Sequence, residues 1–225
     1  MWWRTFFLQA SWSPNFKQNL GFASLYHDAA PPGEVAPDWH FEPFNTNPVT
    51  SSFVLPFLAG QEAAGASVED LRRARAALST SFAATGDRFA WFLLRPLAGL
   101  AGLTAAWLFG QPWAGPLALL LIYNGPQWAL RSWLWGAGKR GESPAAEVRR
   151  ISRMSEAARA AGLLVTGFLA ASLAGRGAAW GGANLALGLA SLIACYFVLR
   201  LRPRWATWIA LLLLGLGMTL NHGLR

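Results

Sequence analysis

Residues 89–109 read FAWFLLRPLAGLAGLTAAWLF, an apolar run with a single charge, Arg95. About 20 such residues cross the hydrocarbon core of a bilayer as a helix. Arg95 falls in the first turns and can snorkel to the membrane surface. The next run, residues 113–135, reads WAGPLALLLIYNGPQWALRSWLW, and Asn124-Gly125-Pro126 predicts an interruption or kink in it. Similar runs follow at 157–175, 179–199 and 205–221, the first and last of these near the lower length limit. The pattern predicts an all-α integral membrane protein with about five membrane helices.

Composition supports that class. Of 225 residues, 54% are hydrophobic and 13% charged, against about 25% charged in soluble domains. Thirteen Trp residues fit a chain that meets both headgroup layers. The net charge of +8 sits in short loops between apolar runs, without a basic face interleaved with aromatics. Nucleic-acid binding is therefore not expected, and the bilayer is the expected partner. Cys195 is alone, so neither an internal disulfide nor a cysteine-based metal site can form. The N-terminus, with Gln9 soon after a short apolar stretch, does not read as a secretory signal.

The part before residue 89 is different. Residues 1–26 predict one or two amphipathic helices, the second starting at Ser13-Pro14 as N-cap and first-turn proline. Residues 28–40 predict a loop, marked by Pro31-Pro32-Gly33 and Pro37. Residues 41–62 carry Pro43, Pro48 and Pro56, and residues 76–88 are short and end in Gly86-Asp87-Arg88. Both are expected as re-entrant or broken helices, which persist at membrane depth only where protein or a water-filled cavity covers them. Residues 61–75 predict a solvated helix. The chain thus divides into an amphipathic and re-entrant region, 1–88, and a transmembrane bundle, 89–225.

Loop charges set an orientation. A cytoplasmic N-terminal region and five crossings put Arg72, Arg73, Arg75 and Arg88 inside, with the basic 136–156 linker and Arg200, Arg202 and Arg204. Residues 222–225 are then external. Within the linker, Ser143-Pro144 and the face of Val148, Ile151 and Met154 predict a surface helix leading into the third span.

Polar side chains beside membrane segments are costly unless they face protein, water or a ligand. Asn45, Thr46 and Asn47 precede the helix-breaking Pro48. Amides both donate and accept, as sugar hydroxyls require, and broken helices expose such groups to substrate in transporters. The same residues could instead cap a helix. Gln18 could contact substrate or a neighbouring helix, and Trp12 could stack on a sugar or anchor at the interface. Asp87 could pair with Arg88 or Arg95, cap a helix, or line a pathway. His27, His40 and His222 lack the second group that a phosphoryl-accepting histidine needs. No catalytic residue, metal site or cofactor is expected.

These residues also carry a resemblance. The chain resembles the IID membrane component of the mannose family of bacterial sugar phosphotransferase systems. Members carry F-x-Q-x-S-W-N-x-E-x-x-Q-x-x-G-F, here Phe7, Gln9, Ser11, Trp12, Ser13, Asn15, Gln18, Gly21 and Phe22. They next carry H-x-E-F-F-N-T-Q-P, here His40, Glu42, Pro43, Phe44, Asn45, Thr46, Asn47 and Pro48. A later G-D-P with an aromatic pair is here Gly86, Asp87 and Arg88 with Phe89 and Trp91. The order and approximate spacing match over residues 6–91.

The resemblance implies a multi-pass protein of the bacterial inner membrane that translocates a sugar such as mannose or a related hexose. It implies an obligate IIC partner, a higher oligomer of the IIC/IID pair, and a cytoplasmic IIA/IIB carrier that phosphorylates the sugar. The substrate-binding residues it implies are Trp12, Ser13, Asn15, Gln18, Asn45, Thr46, Asn47 and Asp87. Departures from the pattern include Ser13 for Asn, Asn15 for Glu, Asn47 for Gln and Arg88 for Pro. The replacements at Ser13, Asn15 and Arg88 motivate an alternative, a degenerate IID-like subunit with an assembly or regulatory role and no sugar transport.

Overall fold

The computed structural model describes residues 2–27 and 38–177, with side chains as far as residue 169. The spans expected at 179–199 and 205–221, Cys195, His222 and the external C-terminus lie outside the described residues. Among the described residues the fold is all-α. A 3-10 segment, Trp2–Phe7, is followed by α1 (Asn19–His27), a 3-10 turn (Asp38–Phe41) and α2 (Ser51–Ala63). Then come α3 (Val68–Asp87), a π-helical segment (Arg88–Leu94), α4 (Arg95–Phe109), α5 (Ala114–Lys139) and α6 (Pro144–Gly177).

The second amphipathic helix does not begin at Ser13. Ser13 and Lys17 exchange two backbone hydrogen bonds of 2.9 Å, and Lys17 takes the left-handed conformation with φ 57°. The chain folds back on itself there, and Gln18 N–H donates to Phe44 O at 2.8 Å. The Ser13 hydroxyl accepts from Phe16 N–H within this tight turn. Cross-chain pairing takes the donors a helix would use, so α1 starts only at Asn19.

The stretch 76–88 is not a separate re-entrant piece. It lies inside one helical rod of 42 residues, Val68–Phe109. Ser67 starts the rod as N-cap, accepting from Asp70 N–H, with Glu69 and Asp70 in the first turn. Gly110 ends it in the left-handed conformation. At 1.5 Å per residue the rod is about 63 Å long, roughly twice the hydrocarbon thickness of a bilayer. Its polar first half therefore cannot be in lipid while its apolar second half crosses. Among the described residues it is the one helix long and apolar enough to cross a membrane. Pro96, which has no N–H to return to the preceding turn, lies two residues beyond the π segment, where the helix widens.

Pro126 sits inside α5 without stopping it. Two side-chain amides add donors in that turn, Asn124 to Leu120 O and Gln127 to Tyr123 O. The basic surface helix and the third span are likewise one uninterrupted helix, α6. α4 and α5 pack as an antiparallel hairpin. A Cβ on Gly102 would stand 2.9 Å from the Gly115 carbonyl oxygen, so the backbones meet where both residues are small.

α2 is a helix of 13 residues, too short to span, with Pro56 within it. Its buried face packs on α5, α3 and α1. Phe53 stacks on Phe82 at 4.9 Å, and Phe22 and Tyr26 of α1 form an aromatic cluster with Trp39 and Phe44. Fully burying such a side chain contributes roughly 1.5–3 kcal/mol. Arg75, expected in a solvated helix, is buried: its guanidinium lies 4.4 Å from the Phe22 ring centre and donates to Trp39 O and Glu42 O.

Candidate functional site

The two N-terminal motifs meet through Gln18, which is 1% exposed. Its Nε2 donates to Thr46 O at 2.9 Å, and its Oε1 accepts from Thr46 N–H at 3.0 Å. One amide thus satisfies both backbone groups of a residue that no helix or strand serves. The Thr46 hydroxyl reaches Ser79 O on α3. Asn47, also buried, accepts from Val49 N–H at 2.9 Å and donates to Asp87 Oδ1 at 2.8 Å. That second bond ties the start of α2 to the end of α3. Gly86 permits it, because a Cβ there would stand 2.6 Å from Asn47 Cβ.

The structure therefore brings together Gln18, Thr46, Asn47 and Asp87, with Gln18, Thr46 and Asn47 bonded within the protein. Trp12, Ser13 and Asn15 do not join them. They lie on the N-terminal loop, where Trp12 and Asn15 are exposed, Ser13 serves the turn, and Lys17 Nζ sits 5.6 Å from the Trp12 ring centre. Asn45 is also exposed. Arg88 pairs with Glu156 of α6 at 2.8 Å on the surface.

Beside Asn47 lies a cavity of about 120 Å3. Its polar lining is Gln9, Asn47, Gln127 and Arg131, and its aromatic lining is Phe6 and Trp91. Four elements meet here: the N-terminal 3-10 segment, the start of α2, the π segment and α5. Arg131 Nη1 donates to Thr5 Oγ1 and to Pro48 O, both at 2.6 Å. The Pro48 carbonyl also accepts from the Ser51 hydroxyl at 2.8 Å. Thr5 in turn meets the Ser52 hydroxyl at 3.1 Å, and Phe6 covers the guanidinium at 4.0 Å. Amides, a guanidinium and two aromatic faces can hold a small hydroxylated molecule.

Sequence reading missed Arg131 and Gln127. The signal was present, since a guanidinium deep in the apolar run 113–135 is costly beside lipid and marks a polar interior. It was not separable from an ordinary basic helix end without knowing which way α5 faces.

A second polar cluster lies near the Asp38–Phe41 turn. His40 is 3% exposed, and its Nε2 stands 3.5 Å from Glu62 Oε2. Burial pushes the imidazole below its ordinary value, and the attraction of Glu62 only partly opposes this. Burial, reinforced by Glu62, pushes the neighbouring Tyr26 phenol up.

The described residues form an all-α fold with one membrane-length helix and a small polar chamber where the start of α2, the π segment and α5 meet. The family model described as the PTS system mannose/fructose/sorbose family IID component matches residues 1–175, and the chain belongs to that family. No curated protein matches the chain. A chain of the structure described as the mannose transporter ManYZ and microcin E492 (MceA) complex, determined by cryo-electron microscopy, is similar in fold. Its TM-score is 0.52 at 21% identity, covering 97% of this chain and 92% of that one.

Proposed function

We propose that this chain is a sugar-translocating IID subunit of a mannose-type, phosphoenolpyruvate-dependent system in the bacterial inner membrane. It acts with a IIC partner, and a cytoplasmic IIA/IIB carrier phosphorylates the sugar. Residues 1–88 supply the substrate side, and the following helices supply the bundle. The observation that carries this reading is the chamber lined by Asn47, Gln127 and Arg131, in a chain whose family is that of IID components. Amides there supply both donors and acceptors for hydroxyl groups. The test is co-expression with IIC and the cytoplasmic carrier in a strain lacking its own system. Phosphoenolpyruvate-dependent hexose uptake is expected, with loss in Gln127→Leu at unchanged membrane abundance. Uptake that does not depend on this chain rejects the reading.

One observation favours a second reading, an assembly or regulatory subunit without transport. The Gln18 amide is bonded on both sides to the Thr46 backbone, and the Asn47 amide to Val49 and Asp87. Calorimetry on the purified IIC/IID complex separates the two, since saturable hexose binding counts against this second reading.

A further inference from the structure

We propose that the cavity beside Arg131 is an oxyanion site, and that the sugar it takes is an acidic one of the uronate or aldonate class. The inference rests on the reading of this cavity as the sugar's place.

Arg131 is 3% exposed and bonded only to neutral acceptors, a threonine hydroxyl and a peptide carbonyl. Among the described residues no carboxylate pairs with it. A buried cation without a counter-charge is costly, and an anionic ligand removes that cost. The guanidinium is a planar fork of donors. Nη1 is occupied by Thr5 and Pro48, whereas Nε is buried with no hydrogen-bond partner. The edge formed by Nε and Nη2 is the fork that two oxygens of a carboxylate match. The Phe6 ring lies against the guanidinium, leaving approach in its plane.

The rest of the chamber suits the body of a sugar. Gln9 and Gln127 line it with amides and Trp91 with an apolar ring face. Gln9 and Trp91 are both exposed, so the chamber is reached from the protein surface. Its volume is about 120 Å3.

The experiment is calorimetry on the purified IIC/IID complex in lipid nanodiscs, titrated separately with glucuronate, glucose and inorganic phosphate. Glucuronate is expected to bind at least about tenfold more tightly than glucose. Arg131→Lys keeps the charge and removes the fork, and is expected to weaken glucuronate by about tenfold while sparing glucose. Gln9→Glu, at an exposed position that threatens no fold, places a negative charge at the mouth and is expected to weaken glucuronate alone. Equal binding of glucuronate and glucose, unchanged by Gln9→Glu, overturns the acidic-sugar inference and leaves the sugar reading standing. Phosphate binding that Arg131→Lys weakens, without binding of either sugar, supports the oxyanion site and overturns the sugar reading. Absence of binding by all three overturns both.

Discussion

The side-chain amide of Asn47 donates to the carboxylate of Asp87 at 2.8 Å, and the other side of the same amide accepts from Val49 N–H. One buried side chain thereby holds the start of α2 against the end of α3, beside the chamber that Arg131 lines. Removing it leaves a buried peptide N–H without a partner, and such groups cost about 1–3 kcal/mol each. Asn47→Ala is expected to lower stability by that amount or more. Asp87→Ala, which leaves the bond between the Asn47 amide and Val49 N–H in place, is expected to cost less. Thermal unfolding of both single variants and the double variant in the same lipid measures the coupling; additive losses would show that the bond carries no energy.

Gln18 is a positioning residue in this structure, because both its polar atoms serve the Thr46 backbone. Gln18→Ala is expected to destabilise by about 1–3 kcal/mol. Any loss of sugar affinity should be recovered by conditions that restore folding. A Gln18→Ala protein with wild-type melting temperature and no sugar binding would place Gln18 in the ligand site instead.

The close approach of α4 and α5 makes Gly102 and Gly99 a matched pair for comparison. A Cβ on Gly102 meets the Gly115 carbonyl oxygen at 2.9 Å, whereas one on Gly99 meets nothing within 4 Å. Gly102→Ala is expected to cost about 1–3 kcal/mol through overpacking. Gly99→Ala is expected to be neutral or to gain up to about 1 kcal/mol from helix propensity. Chemical unfolding of the two variants side by side checks the order.

His40 predicts acid lability. Its imidazole is buried and neutral in the fold, with Glu62, Tyr26, Arg75 and His27 as its charged or titratable surroundings. Its pKa in the folded protein is below the unfolded value of about 6.5, so the unfolded chain takes up the proton first. Stability is therefore full above about pH 6.5 and falls as the pH is lowered from there toward the folded value. Melting temperatures at pH 7.5 and 5.5 should differ more in the wild type than in His40→Gln. Equal pH dependence in both would assign the effect to other groups.

Residue order alone determined that this is a helical membrane protein and that Gln18, Asn47 and Asp87 matter. Apolar run length and the spacing of motifs are local properties, and lipid leaves a helix few alternatives. Tertiary structure decided where helices stop. Gly86-Asp87-Arg88 and Asn124-Gly125-Pro126 carry breaking residues, yet both lie inside continuous helices. Gly86 is small so that Asn47 can pack on it, and Pro126 removes the helical donor of a single carbonyl in a helix of 26 residues. Ser13-Pro14 carries a helix-start signal and is a turn, because Gln18 N–H pairs with Phe44 O across the chain. Arg131 shows the same division. Its identity is in the sequence, but its burial depends on Thr5 and Pro48, which lie far away along the chain and meet it only once the helices have packed.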